Sequence, residues 1–434
     1  MSSTRSLRIS TAVCVIMSTL CLPPAHGEDW QATASIGGTL NDVAFLSATR
    51  VVTVGDDSAI LLSVDGGVTW FEVGPLVAGP HLNAVAFEGP KGVAVGDAGL
   101  IMYSDDGGEN WGDVSVPTRP ENLNAVAIDG TTVIAVGDGL STGALVDRYF
   151  TVVRSTDGGA SFNAIDGGFF GALTQKPLLD VVFVDANTLV AVGAKSGGNT
   201  TVLRSSDKGE RWDDVLTFNN PPNKDLNSLA VSGATVVAVG DKSGSGVAIY
   251  RSVDWGVTWD VPNSFPAGAP NNQPLTDMLF VDATTVVAVG NEKSGGAGYR
   301  ILISGNSGDD WGEPTLPAGS ANLTSLVAGN GLLLAGGDSG TILASIDDGA
   351  TWTADSTYTA VDILDVDIIN PSIAVGSGGL VFLRGAAAGV GSALSVSGYL
   401  GSNRRGGQFS VTAPFGFEWL FGLLVLGCAL HRLR

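Results

Sequence analysis

Three observations predict an all-β chain. An apolar strand of the type LNDVAF recurs eight times, each copy is followed by a strand closing on VAVG or a variant of it, and seven copies then carry the phrase S-x-D-x-G-x-x-W or a close variant. Four short strands per ~40–50 residues is the pattern of a β-propeller blade, so the predicted fold is a β-propeller of four-stranded antiparallel blades. The first strands begin at Leu40, Leu82, Leu123, Leu178, Leu226, Leu275, Leu323 and, more weakly, Ile363, with spacings of 42, 41, 55, 48, 49, 48 and 40 residues.

The copy count decides how the ring closes. Eight first, second and third strands are present, but only seven fourth strands follow them. The last copy, VDILDVDIINPSIAVGSGGLVFLRG, stops before its fourth strand. The segment DWQATAS (Asp29 to Ser35) matches TWTADST (Thr351 to Thr357), so the N-terminal strand is expected to complete the last blade and remove the exposed sheet edges. The expectation is eight blades over residues 28–385, with seven the alternative if the weak last copy packs differently.

The ends read as targeting segments. Arg5 and Arg8 precede the apolar stretch ISTAVCVIMSTLCL and then PPAHGED, which suits a signal peptide over residues 1–27. Cys14 and Cys21 lie in that segment and Cys428 lies near the C-terminus, so the body between carries neither disulfide nor thiolate chemistry. Residues 386–412, including AAAGVGSALSVSGYLGSN, read as a flexible linker. Residues 413–434 contain an apolar run from Phe415 to Leu430, interrupted by Glu418 and closed by HRLR, which reads as a membrane-anchoring tail. With RRGGQ before it, the tail resembles the C-terminal sorting signals of Gram-negative bacteria. That resemblance implies an exported protein of the cell envelope, anchored or released after cleavage.

Charge narrows the partners. The net charge is −21, and residues 28–403 alone carry 16 Lys and Arg against 42 Asp and Glu. Nucleic acid and anionic membrane surfaces would be repelled.

The repeated aspartate is read as scaffold. In S-x-D-x-G-x-x-W it falls in the turn between third and fourth strands, where a carboxylate accepts backbone N–H groups and glycine supplies positive φ. The tryptophan is expected to pack beside the next blade. Asp65, Asp106, Asp157, Asp207, Asp254 and Asp347 hold this position, and Asn306 replaces it in copy six. A catalytic residue would occur once, whereas these recur.

These phrases resemble the Asp boxes of BNR-repeat propellers, sialidases among them. VVRSTDGGASF, VLRSSDKGERW and IYRSVDWGVTW, with AVG in the preceding strand, resemble the photosystem II stability and assembly factor family over roughly Asp29 to Gly385. That resemblance implies a non-catalytic propeller assisting a membrane complex. The sialidase likeness implies further residues that are missing: no arginine-bearing motif stands at the first blade. The three histidines, His26, His81 and His431, are too far apart in sequence to suggest a metal cluster. No catalytic residue, metal ligand or cofactor is assigned. The alternative is a glycan-acting enzyme of sialidase or glycosidase type, or a carbohydrate-binding propeller.

Binding is placed on the face opposite the Asp boxes, where copies three to six carry longer loops such as GDGLSTGALVDRYF, DGGFFGALTQKP and FPAGAPNNQP. Tyr149, Phe150, Phe169 and Phe170 are aromatics in that loop context. A second candidate is an arc of arginines standing just before the Asp-box serine, Arg154, Arg204 and Arg251, with Arg384 in the matching place of copy eight. The family resemblance implies partner contact for arginines in this context. The expected partner is a protein or glycan of the cell envelope.

Overall fold

The computed structural model describes residues 30–35, 37–75, 79–139, 150–165, 169–170, 176–196, 199–215, 224–243, 246–264, 274–292, 298–355, 361–368, 372–384, 393–400 and 407–414. Residues 1–27 and the apolar tail from Phe415 onward, read above as targeting segments, lie outside this set. Among the described residues no helix is long and apolar enough to cross a membrane.

Eight sheets follow one another in chain order, each built of antiparallel strands ordered first strand to outer strand, apart from one added parallel strand in blade 4. Blade 1 comprises Leu40–Phe45, Val51–Gly55, Ile60–Ser63 and Phe71–Glu72. In blade 8, Ile363–Ile368, Ser372–Gly376 and Leu380–Arg384 are completed by the N-terminal strand Trp30–Ser35. That strand pairs antiparallel with Leu380–Arg384, from Trp30 opposite Arg384 to Ser35 opposite Leu380. The first strands touch one another in sequence around the molecule, and the first strand of blade 8 touches that of blade 1. The fold is an eight-bladed propeller closed by its own N-terminus.

Burial follows from this geometry. In first strands such as that of blade 1 the buried positions lie three apart, as Leu40 and Val43 do across a register shift, and the residues between are part-exposed. Second strands such as Val51–Gly55 and Val286–Gly290 are buried at every residue, because adjacent blades cover both of their faces. Each second strand carries a glycine, at its end in six of the eight blades, for a steric reason. A Cβ on Gly55 would overlap the carbonyl oxygen of Thr39, which accepts the Asp56 N–H at 2.8 Å.

The box tryptophan faces the opposite way from the sequence expectation. Trp212 of blade 4 packs with Ile134 and Val136 of blade 3, Trp259 of blade 5 with Val190 and Val192 of blade 4, and Trp352 of blade 7 with Val287 and Val289 of blade 6. Each aromatic therefore seats its blade on the preceding one, not the next. Burying such a ring removes roughly 150–250 Å², an upper bound of about 4–6 kcal/mol of transfer free energy.

A second compact unit covers residues 385–434. In it Ala393–Leu400 pairs antiparallel with Gly407–Pro414, and both strands begin within the span, residues 386–412, read above as a linker.

The seating of one blade on another makes the second box glycine a contact residue. Gly349 has φ +88°, and a Cβ there would lie 2.8 Å from Cγ2 of Val287 in the preceding blade. Gly331, in the first hairpin of the same blade, has φ +75° and open space around it. Gly331→Ala should cost about 1 kcal/mol from backbone strain alone, and Gly349→Ala about 2–4 kcal/mol from strain plus overpacking. Chemical denaturation of the two variants checks this. Equal losses would contradict the seating.

Candidate functional site

Each Asp box is a closed hydrogen-bond unit. In blade 1, Ser63 Oγ donates to Asp65 Oδ1 at 2.9 Å and accepts the Gly67 N–H at 2.7 Å. Asp65 Oδ1 also accepts the Thr69 N–H at 2.8 Å, and Trp70 Nε1 donates to the Gly67 carbonyl at 2.9 Å. The same bonds recur around Asp106, Asp254 and Asp347. Asn306 accepts the Asp310 N–H in the aspartate's place at 2.8 Å. Asp157 and Asp207 each accept the N–H four residues on, from Ser161 and Arg211. These bonds favour the charged carboxylate. The Asn110 side-chain amide, above all, pulls Asp106 down to about 2. At Asp65 burial pushes the other way, but the Thr69 hydroxyl and N–H outweigh it and the value falls. Every box carboxylate is occupied by its own turn.

The arginine arc does reach across blades. Arg154 Nε donates to the Lys208 carbonyl at 2.7 Å, Arg204 Nε to that of Trp255 at 2.8 Å, and Arg251 Nε to that of Ser307 at 2.7 Å. Each acceptor directly follows the box aspartate, or its asparagine substitute, of the next blade. The three arginines thus tie third strands to neighbouring turns through Nε. Their terminal nitrogens extend beyond the tie, with Arg251 Nη1 3.9 Å from Asp309. Arg384 stands apart from this arc. It pairs with Asp355 at 3.0 Å beside the closing strand.

The loop aromatics separate. Phe150 is buried among Val136, Val152 and Leu178 between blades 3 and 4, so it belongs to the core and not to a binding loop. Phe169 and Phe170 form a two-residue strand running parallel to Trp212 and Asp213, which adds a fifth strand to the outer edge of blade 4. Tyr149 and the central residues of the long loops lie outside the described residues.

One ring of groups escaped the sequence reading. The third position of the first strand is Asp42, Ala84, Ala125, Asp180, Ser228, Asp277, Ser325 and Asp365 in blades 1 to 8. The carboxylates line the central channel and bridge blades. Asp180 Oδ2 accepts the Leu229 N–H of blade 5 at 2.7 Å, and Asp277 Oδ2 the Leu326 N–H of blade 7 at 2.8 Å. At the seam Asp365 and Asp367 accept the N–H groups of Val43 and Phe45. Burial pushes Asp180 up to about 7 and Asp277 to about 6, against backbone N–H donors that favour the charge. Asp365 is raised well above the usual range by burial and then by the facing Asp42. Among the described residues no group of three His, Cys, Asp or Glu side chains could hold a metal ion.

Residues 23–174 match the family model described as photosynthesis system II assembly factor YCF48. Among solved structures, YCF48 bound to a D1 peptide superposes with a TM-score of 0.52 at 16% identity, covering 85% of this chain and 100% of that one. The computationally designed Ika8 protein gives 0.59 at 16% identity, covering 83% and 100%. YCF48 from Cyanidioschyzon merolae gives 0.49 at 15% identity, covering 82% and 98%. Likeness at these identities is one of fold. No curated protein matches the chain.

The channel carboxyls give the stability a pH signature. Their folded values lie above the usual carboxylate value near 3.8, so their contribution is complete below that value and is lost as pH rises through about 6 to 7. Box aspartates such as Asp106 act oppositely, losing stability only in strong acid. Asp180→Asn should therefore gain on the wild-type protein as pH rises from 5 to 8, read as a growing difference in melting temperature. Parallel curves would contradict the assignment.

Proposed function

We propose that this chain is a non-catalytic binding propeller, exported and tethered at the cell envelope, that assists the assembly or stability of a membrane protein complex. The observation that carries the reading is the match of residues 23–174 to the photosystem II assembly factor model. The relative solved with a D1 peptide supports a protein as the kind of partner. The occupied Asp-box carboxylates support a binding role over hydrolysis.

The contact surface is the arginine arc on blades 3 to 5. Arg154 and Arg204 spend Nε on their backbone ties and present two terminal nitrogens each, the geometry that receives a carboxylate in a fork. Guanidinium groups on adjacent blades of an otherwise acidic body select an acidic segment of the partner. Export and tethering rest on residues 1–27 and 413–434.

Capture from envelope extracts with the full chain tests the proposal. In the variant Arg154→Gln with Arg204→Gln, the amide can still donate to the turn carbonyl while the fork is lost. We expect at least tenfold less of the captured membrane-complex subunit, with little change in melting temperature. An unchanged capture list, or turnover of a glycoside by the purified chain, would overturn it.

A further inference from the structure

Where blades 5 and 6 meet, a cavity of about 390 Å³ opens beside the last arginine of the arc. We propose that it is the docking site for a partner segment that presents a basic side chain next to an apolar one. This deepens the binding reading above and rests on it.

Charge argues for the basic group. The cavity holds one guanidinium, Arg251, against two carboxylates, Asp260 and Asp309. Arg251 is already engaged by the Ser307 carbonyl and lies 3.9 Å from Asp309. Asp309 Oδ1 accepts Asn263 Nδ2 at 2.9 Å, while no described residue donates to its Oδ2, and the side chain is 35% exposed. An acceptor at the mouth of a cavity whose own lining is net negative draws a cation and repels an anion at that spot.

The walls argue for the apolar neighbour. Val253 and Val261 line the cavity and are both more than half exposed. Trp255 and Val257, from the same turn, are also about half exposed. Four large apolar side chains left to solvent within nine residues mark a contact surface.

Trp255 adds a conformational argument. The place after the box aspartate has positive φ in every copy and is held elsewhere by Gly66, Gly107, Gly158, Lys208, Ser307 and Asp348. A tryptophan at φ +59° is disfavoured there, and strain of this kind collects at functional positions. The Arg204 tie uses the Trp255 carbonyl, so it does not require the indole.

The full chain is screened against a resin-bound, positional-scanning library of capped hexapeptides. The best peptide and its Lys→Glu counterpart, each carrying a fluorescein label, are then titrated by fluorescence anisotropy, with the tryptophan emission of the wild-type protein followed alongside. Trp255 is 48% exposed, and among the other described tryptophans Trp70 and Trp111 are part-exposed and the rest buried, so the difference between wild-type and Trp255→Gly emission reports this turn. We expect selection of Lys or Arg one or two positions from an apolar residue, and a blue shift on binding. Trp255→Gly and Asp309→Asn should each weaken binding at least fivefold, with the melting temperature of Trp255→Gly equal to or above that of the wild-type protein. Undiminished binding by both variants would overturn the proposal. Selection of acidic peptides, lost in the Arg154→Gln and Arg204→Gln variant, would overturn the cavity while leaving the arc standing. Selection of no peptide also overturns the cavity, and the arc is then judged by its own capture experiment.

Discussion

Everything in this molecule depends on the seating of each blade against the one before it. The second box glycine and the following aromatic press onto the second strand of the preceding blade, as Gly67 does on Ile373 and Gly349 on Val287. A linear array would leave the first blade with nothing to sit on. Closure by Trp30–Ser35 supplies it, because the completed blade 8 offers Ile373 and Val375 to Trp70 of blade 1. The three cysteines all lie outside residues 30–384, so packing and hydrogen bonds hold the ring without a covalent staple.

Two populations of carboxylate follow from that arrangement. Box aspartates such as Asp65, Asp106 and Asp157 sit at turns where N–H and hydroxyl donors converge, and they are stabilised as anions. Those of the channel, such as Asp180 and Asp277, face one another around the axis and are stabilised as acids. The ring's geometry, not composition, sorts them.

The periodic part of this structure was legible in the sequence. Strand count, blade count and the match of DWQATAS to TWTADST define the ring and its closure, because each repeats a local pattern. Contacts between repeats were not legible. The direction in which Trp212 faces, the acceptors reached by Arg154 and Arg204, and the burial of Phe150 all depend on how one blade lies against another. The channel position was hidden for a related reason. Asp42, Ala84 and Ser228 look like unremarkable polar or small residues on alternating strands until the first strands are brought to a common axis. Alternation predicts two faces, and only closure says that one of them meets seven copies of itself.

Native-state hydrogen exchange across the closing seam tests the account most directly. The amides of Val381, Phe382 and Leu383, in the strand that pairs with the N-terminal segment, are to be compared with those of Val190 to Val192 in blade 4 under increasing denaturant. If closure supports every blade, both sets exchange only through the same global opening, with the same free energy and denaturant dependence. Exchange of the seam at markedly lower free energy, with blade 4 still protected, would show that the ring stands without its clasp.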